Sequence, residues 1–116
     1  MAHENGKKQK IQMDRVCLVP CRITPGMFRE EYLVSVDALD PQNPSNIVKA
    51  QLLVDQREVS EIQGTPKRSQ PATGWLRVTL VEKRGELANV VLPQPSQPLG
   101  ERILVSAGTI KKAAGP

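Results

Sequence analysis

The stretch WLRVTLVEKRGELANVVL, residues 75–92, carries the clearest structural signal in the chain. Leu76, Val78 and Leu80 alternate with more polar neighbours, which places them on one face of an extended strand. A second apolar run, residues 87–92, follows a short connection that contains Gly85. Two such runs joined by three to five residues that include glycine are typical of a β-hairpin. The stretch therefore predicts two adjacent antiparallel strands.

The rest of the chain repeats this pattern of short apolar runs between Pro- and Gly-rich connections. Further strands are predicted over residues 15–24, 31–37, 47–55 and 101–107. Asp55 and Glu58 have the spacing of a helix capping box, so one helical turn is expected at most, near residues 56–62, with continued strand as the alternative. We therefore predict an all-β fold, a small barrel or sandwich of five to six short, mostly antiparallel strands.

The first predicted strand contains a proline and two cysteines. Pro20 has no backbone N–H to donate, so the strand is expected to lie at an edge or to bulge there. Cys17 and Cys21 share a face and are about 13 Å apart in an extended chain, whereas a disulfide needs Cα atoms within about 7 Å. We therefore expect two free thiols in the apolar core and a reducing, cytoplasmic location.

The excess of positive charge lies at the two ends of the chain. The protein has 16 basic and 12 acidic residues, a formal net charge of +4. Residues 1–12 and 111–116 hold five of the lysines and one glutamate, which leaves eleven charges of each sign over 13–110. The ends are polar and poor in apolar residues. We predict disordered basic tails over 1–12 and 111–116 around one neutral all-β domain at 13–110.

Composition argues against several kinds of chemistry. One histidine and two cysteines cannot supply the three or four His and Cys ligands of a zinc-type site. The histidine, His3, falls in the predicted tail, and no nucleophile elbow, phosphate-binding loop or other cofactor motif occurs. No apolar run reaches the roughly 18 residues of a membrane span. We expect no catalytic residues, no metal, no cofactor and no membrane association.

Five residues stand out as candidates for binding. Pro25 and Gly26 predict a type II turn with positive φ at Gly26, and two large apolar residues follow them. These two either contact a partner or fold back to plug one end of the core, and the scarcity of aromatic residues favours the plug. The candidate contact residues are Met27, Phe28, Lys67, Arg68 and Trp75.

These observations support three hypotheses about function. The leading one is a non-catalytic β module that binds another macromolecule, with a protein as the expected partner. The alternative is weak electrostatic binding of nucleic acid through the basic tails and the Lys67–Arg68 loop. Lys83 and Arg84 do not extend that loop into one basic patch, because an eight-residue strand of roughly 25 Å lies between them. The third hypothesis is an enzyme of unrecognised type, and the sequence does not specify an oligomeric state.

Overall fold

Alternating apolar residues produce an all-β architecture, as the sequence predicts. The computed structural model describes residues 15–113, so the expectations for 1–12, including His3, and for 114–116 lie outside the described residues. Two 3₁₀ turns, Gln56–Glu58 and Ala107–Thr109, interrupt the strands. The strands are β1 Arg15–Pro25, β2 Glu31–Asp40, β3 Asn43–Asp55, β4 Val59–Gln63, β5 Ala72–Arg84, β6 Leu87–Ser96, β7 Gly100–Ser106 and β8 Lys111–Lys112.

Five of these strands close into an antiparallel barrel in the order β1-β2-β7-β6-β5, with β5 returning to β1. The barrel alternative of the sequence prediction is thereby confirmed. The other three strands pair at the outside: β3 with β2, β4 with β5 and β8 with β1. β4 and β8 are too short to show a clear alternation of polarity, which is why the sequence predicts fewer strands than the eight of residues 15–113.

The core follows the period-two pattern of the sequence. Cys17 and Cys21 point into it, are both unpaired, and pack as small apolar residues, as expected. Burying this apolar surface supplies the main stabilising free energy, about 25 cal/mol per Å². The fully buried large side chains are Val19, Ile23, Val34, Val36, Val54, Leu76, Val90 and Val105.

The predicted β5–β6 hairpin is present. Arg84 pairs with Leu87, and Gly85 in the turn has φ of +61°, a left-handed conformation that glycine adopts without steric cost. The predicted helical turn is present only in its first part: Gln56–Glu58 is a 3₁₀ turn, and the chain continues as strand β4 from Val59. The Asp55 carboxylate accepts a hydrogen bond from the backbone N–H of Arg57 at 2.9 Å, as an N-cap residue should.

Pro20 lies where β1 loses a neighbour on one side. β1 pairs with β5 without interruption from Arg15 to Ile23. Its other side pairs with β8 only at Cys17 and Leu18, and with β2 only over 22–25. Residues 19–21 therefore form a local edge, which confirms the prediction for Pro20.

The strands extend past the domain boundary expected at residue 110. Lys111 pairs with Leu18 and Lys112 with Cys17, so the start of the predicted C-terminal tail is a strand. The exposed side of β1 offers backbone groups that this segment satisfies. Within residues 15–113 there is no helix of the length and hydropathy that crossing a membrane requires.

Candidate functional site

The turn between β1 and β2 directs Met27 and Phe28 into solvent. Their side chains are 77% and 68% exposed, so the interpretation that they plug the core is wrong. The turn is closed by two backbone hydrogen bonds of 3.1 Å, from Gly26 N–H to Glu31 and from Glu31 N–H to Phe28. These bonds tie the two ends of the turn to each other, and the side chains between them project outward.

The type II turn predicted here is also wrong. Gly26 does not have the positive φ that this turn needs, and among the described glycines only Gly64, Gly85 and Gly100 do. Glycine is required at position 26 for a different reason: a Cβ there would lie 2.8 Å from the backbone of Glu31. Close approach of two backbone segments, rather than backbone handedness, explains this glycine.

Met27 and Phe28 belong to a larger exposed apolar area that we call the turn patch, together with Leu53. Leu53 is 36% exposed and lines the same hollow as Met27. The turn patch thus gathers three of the five large apolar side chains exposed on residues 15–113; the others, Val16 and Ile47, line none of its hollows.

Two hollows flank the turn patch. One, of about 420 Å³, has Met27, Leu33 and Arg68 in its wall. The other, of about 460 Å³, lies beside Phe28 and includes Tyr32 and Pro66. The 64–71 loop therefore comes next to the 26–28 turn, although about 40 residues separate them in the sequence.

Positive side chains border the turn patch. Arg29, Lys67 and Arg68 are exposed, and none of them forms an ion pair with another residue of the 15–113 region. Reciprocal backbone hydrogen bonds between Lys67 and Gln70 close the loop into a tight turn. Of the five predicted contact residues, the structure thus brings Met27, Phe28 and Arg68 together, with Lys67 beside them.

Trp75, the fifth predicted residue, lines neither hollow of the turn patch. It is half-buried on β5, and the Lys111 ammonium lies 4.4 Å from the centre of its ring. The same ammonium donates a hydrogen bond of 2.7 Å to the Glu61 carboxylate. Glu61 has φ of +53°, a conformation that costs a non-glycine residue about 1–2 kcal/mol.

A cavity of about 390 Å³ opens beside Trp75, at the local edge around Pro20; we call it the Pro20 notch. Its walls come from five strands, β1, β2, β4, β5 and β7, and from the 3₁₀ turn Ala107–Thr109. The lining residues are Val19, Pro20, Cys21, Arg22, Ser35, Val36, Asp37, Glu61, Gln63, Thr73, Gly74, Trp75, Val105 and Thr109.

Titratable groups of the Pro20 notch are held in unreactive forms. Burial raises the pKa of the Cys21 thiol to about 12, so the thiol stays protonated at neutral pH and is a poor nucleophile. A hydrogen bond of 2.8 Å from Arg22 is the main cause that lowers the pKa of Asp37. Asp37 is therefore a carboxylate, already engaged by Arg22 and by Lys49 at 3.3 Å. Over residues 15–113, no three His, Cys, Asp or Glu side chains cluster as a metal site would require.

Sequence reasoning missed the pairing of Glu61 with Lys111. The two residues are 50 positions apart and each resembles an ordinary surface charge. Pro20 was the one local signal, since a proline within a predicted strand marks an interrupted ladder. The exposure of Met27 and Phe28 had no local signal.

Comparison with known proteins adds no assignment: no family model, curated protein or solved structure matches this chain. The candidate functional sites of the described region are therefore the turn patch and the Pro20 notch. The two sites share no lining residue, which allows each to be tested separately.

Proposed function

We propose that this protein is a non-catalytic β module that binds another protein through the turn patch. The observation that supports it is the exposure of Met27 and Phe28 side by side on one turn. Burying a large apolar side chain that was exposed to water contributes about 1.5–3 kcal/mol. Methionine, aromatic residues and arginine are also the residues enriched at protein interfaces, and the turn patch with Arg68 holds all three.

The construction of the turn supports the same proposal. The bonds at Gly26 and Glu31 hold the turn closed, and Gln56 adds a hydrogen bond of 3.0 Å from its side-chain amide to the Arg29 carbonyl. A turn braced on both sides loses little conformational entropy on binding. The free energy of burying Met27 and Phe28 would then go mainly into affinity.

The double variant Met27→Ala/Phe28→Ala tests the proposal. Because both side chains are exposed, its free energy of unfolding should stay within about 0.5 kcal/mol of the wild type. Recovery of a bound protein from native lysate should fall sharply, and nuclease treatment should not change that recovery. Denaturant unfolding and quantitative mass spectrometry of the eluates are the two measurements.

Ile47→Ala is the matched control, since Ile47 is 61% exposed and lies outside the turn patch. It should recover the same partner as the wild type. Equal recovery by the double variant and the wild type would refute the proposal. A loss of about 3–5 kcal/mol in the double variant would show that the side chains are buried in solution.

Weak nucleic-acid binding is the second candidate, supported by the exposed Lys67 and Arg68 at the edge of the turn patch. It predicts affinity for RNA or DNA that falls steeply with added salt, because phosphate contacts release counterions. Lys67→Gln/Arg68→Gln and deletion of residues 1–12 should each weaken it. Binding that hardly changes between low and high salt excludes this candidate.

We also propose a reducing, cytoplasmic compartment for the protein. Cys17 and Cys21 are both unpaired and buried, and free thiols are typical of reducing compartments. The titratable groups that an enzymatic role in the Pro20 notch would use include Cys21, Asp37 and Glu61. The protonated thiol and the paired carboxylates support binding there rather than catalysis.

A further inference from the structure

The Pro20 notch lies where the β1–β2 ladder lacks a backbone hydrogen bond. In the register of β1 and β2, Arg22 lies opposite Ser35. Two residues further along, the next backbone hydrogen-bonded pair of this ladder would be Pro20 and Asp37. Pairing stops before it. β1 is fully paired with β5 here, so the side of Pro20 that lacks a donor faces β2. The barrel wall therefore has a gap, which lasts until β8 joins β1 at Leu18.

The Pro20 notch has the volume and the lining that are typical of a small-molecule site. Its volume of about 390 Å³ lies within the 300–1,000 Å³ that is usual for such sites. Its lining is more apolar than polar: Pro20 and Trp75 keep exposed surface there, and the buried Val19, Val36 and Val105 lie behind. An apolar ring would be well accommodated against them.

The charged groups around the Pro20 notch already have opposite charges as partners. Arg22 and Lys49 hold Asp37, and Lys111 holds Glu61. An ion that entered would lose its hydration without finding a free opposite charge among these groups, which is unfavourable. The arrangement therefore favours an uncharged ligand.

Polar groups without partners remain in the wall. The Ser35 hydroxyl is buried and forms no hydrogen bond with any described residue. Because the β1–β2 ladder stops at Arg22 and Ser35, the backbone groups of Asp37 also have no partner on β1. Buried polar groups are nearly always satisfied in folded proteins, so a ligand that offers a hydrogen bond here gains more than one that does not.

Backbone strain is concentrated at the same place. Glu61 is the one non-glycine residue of the described region with positive φ, and it lies in the register shift of β4 at the rim of the notch. Strained residues persist where surrounding structure enforces them, and they cluster at ligand sites. At this rim, the Glu61 carboxylate accepts a hydrogen bond from Lys111, whose ammonium lies over Trp75.

We propose that the Pro20 notch binds a small uncharged molecule that combines an apolar ring with one amide or hydroxyl group. The ring packs against the apolar part of the lining, beside Trp75 and Pro20. The polar group of the ligand forms hydrogen bonds with the Ser35 hydroxyl and with the Asp37 backbone groups that have no partner on β1. This site is independent of the turn patch and of the proposed protein partner.

Three probes of matched shape test the proposal: benzamide, benzoate and benzylamine at neutral pH. Trp75 is the only tryptophan in the chain, so its indole N–H resonance and its fluorescence report on the notch alone. Benzamide should shift that resonance in a saturable way, with a dissociation constant in the millimolar range. The two charged probes should bind at least about fivefold more weakly, because neither finds an unpaired charge.

Thr73→Phe should block the site, because Thr73 is exposed on β5 and lines the notch. Benzamide binding should weaken at least about tenfold. Thr65→Phe is the matched control: the same substitution at an exposed loop position outside the notch should leave binding unchanged. Ser35→Ala is a smaller change that keeps the fold and should weaken benzamide several-fold.

Three results would overturn the proposal. They are the absence of a saturable shift with benzamide, equal binding of all three probes, and undiminished binding by both Thr73→Phe and Ser35→Ala. The Met27→Ala/Phe28→Ala variant should bind benzamide as the wild type does. The two proposals are therefore independent: evidence against protein binding at the turn patch would not count against ligand binding in the Pro20 notch, nor would the converse.

Discussion

Cys21 shows how burial changes the chemistry of a single residue. Its side chain lies on the inward face of β1 and is 6% exposed. Removal from water disfavours the thiolate, which raises the pKa to about 12 against the small opposing effect of Arg22. A residue type that is often a nucleophile is here part of the apolar core.

This pKa shift makes stability depend on pH in alkali. In the unfolded chain the Cys21 thiol loses its proton near its ordinary pKa of 9.0, whereas the folded protein retains it up to about pH 12. The folded state then binds more protons, so rising pH favours unfolding. Between about pH 9 and 12 the free energy of unfolding should fall by about 1.4 kcal/mol per pH unit more in the wild type than in Cys21→Ala.

Denaturant unfolding at several pH values measures this difference. Cys17→Ala is the control, because burial also raises the pKa of Cys17 while Arg15 and Lys112 oppose the rise. Its pH profile should stay closer to that of the wild type. Parallel profiles for the wild type and Cys21→Ala would show that the thiol ionises equally in the folded and unfolded states.

Met27 and Phe28 show the limit of reasoning from residue type. Large apolar side chains usually enter a core, and in a chain with three aromatic residues burial was the natural prediction. Their orientation depends instead on how Gly26 and Glu31 close the turn. The contact between those two backbone segments is a property of the folded turn that composition does not reveal.

At the scale of strands, Pro20 decides where the barrel wall is open. Every other residue of β1 has an N–H that could extend the ladder to a neighbouring strand, apart from Pro25 at its end. One proline therefore separates the β8-paired part of β1 from the β2-paired part. Proline at such a position also protects the exposed edge from pairing with other chains.

Pro20→Val should close the gap. Valine favours strands and restores a backbone N–H opposite Asp37. The backbone hydrogen bond between residues 20 and 37 can then form. The new amide at position 20 should exchange with solvent at least about tenfold more slowly than the amide created by Pro71→Val, a control in an exposed loop. Benzamide binding should fall in parallel.

Hydrogen exchange followed by NMR provides this measurement. Rapid exchange at position 20, with benzamide binding unchanged, would mean that something other than the missing donor keeps β1 and β2 apart. The experiment therefore distinguishes two causes of the notch: the missing N–H of Pro20, and the path that β1 and β2 take in the barrel.

At the scale of the whole molecule, apolar burial and not ion pairing stabilises the fold. The ion pairs of the described region lie at exposed side chains, where such pairs contribute about 0–1 kcal/mol each. The segment 13–110 has balanced charge. Positive charge available to a partner on this segment is therefore local, as at the exposed Lys67 and Arg68.

The C-terminal strand provides a test at this scale. A chain that ends after Ile110 loses β8, together with the contact between Lys111 and Trp75 and the Glu61 ion pair. Its free energy of unfolding should fall by about 1–2 kcal/mol, and Trp75 fluorescence should shift to longer wavelength as the ring is uncovered.

A chain that ends after Ala113 is the control and should match the full-length protein in both measurements. Identical stability and emission for all three chains would place the end of the folded domain at residue 110, as the sequence alone predicts.

Four features follow from the amino-acid sequence without reference to the folded structure: the all-β class, the β5–β6 hairpin, the Asp55 cap and the edge at Pro20. Each of these depends on period-two alternation or on the backbone chemistry of one residue, which act within a few positions along the chain. Tertiary structure alone decided that the strands close into a barrel, that Met27 and Phe28 face solvent beside Arg68, and that Lys111 lies between Glu61 and Trp75. Barrel closure, the approach of Arg68 to Met27 and the Glu61–Lys111 pair depend on contacts between residues about 40 to 65 positions apart. The outward position of Met27 and Phe28 depends on the backbone contacts that close the turn between Gly26 and Glu31. Their formation depends on how strands meet in space, and no local pattern encodes that.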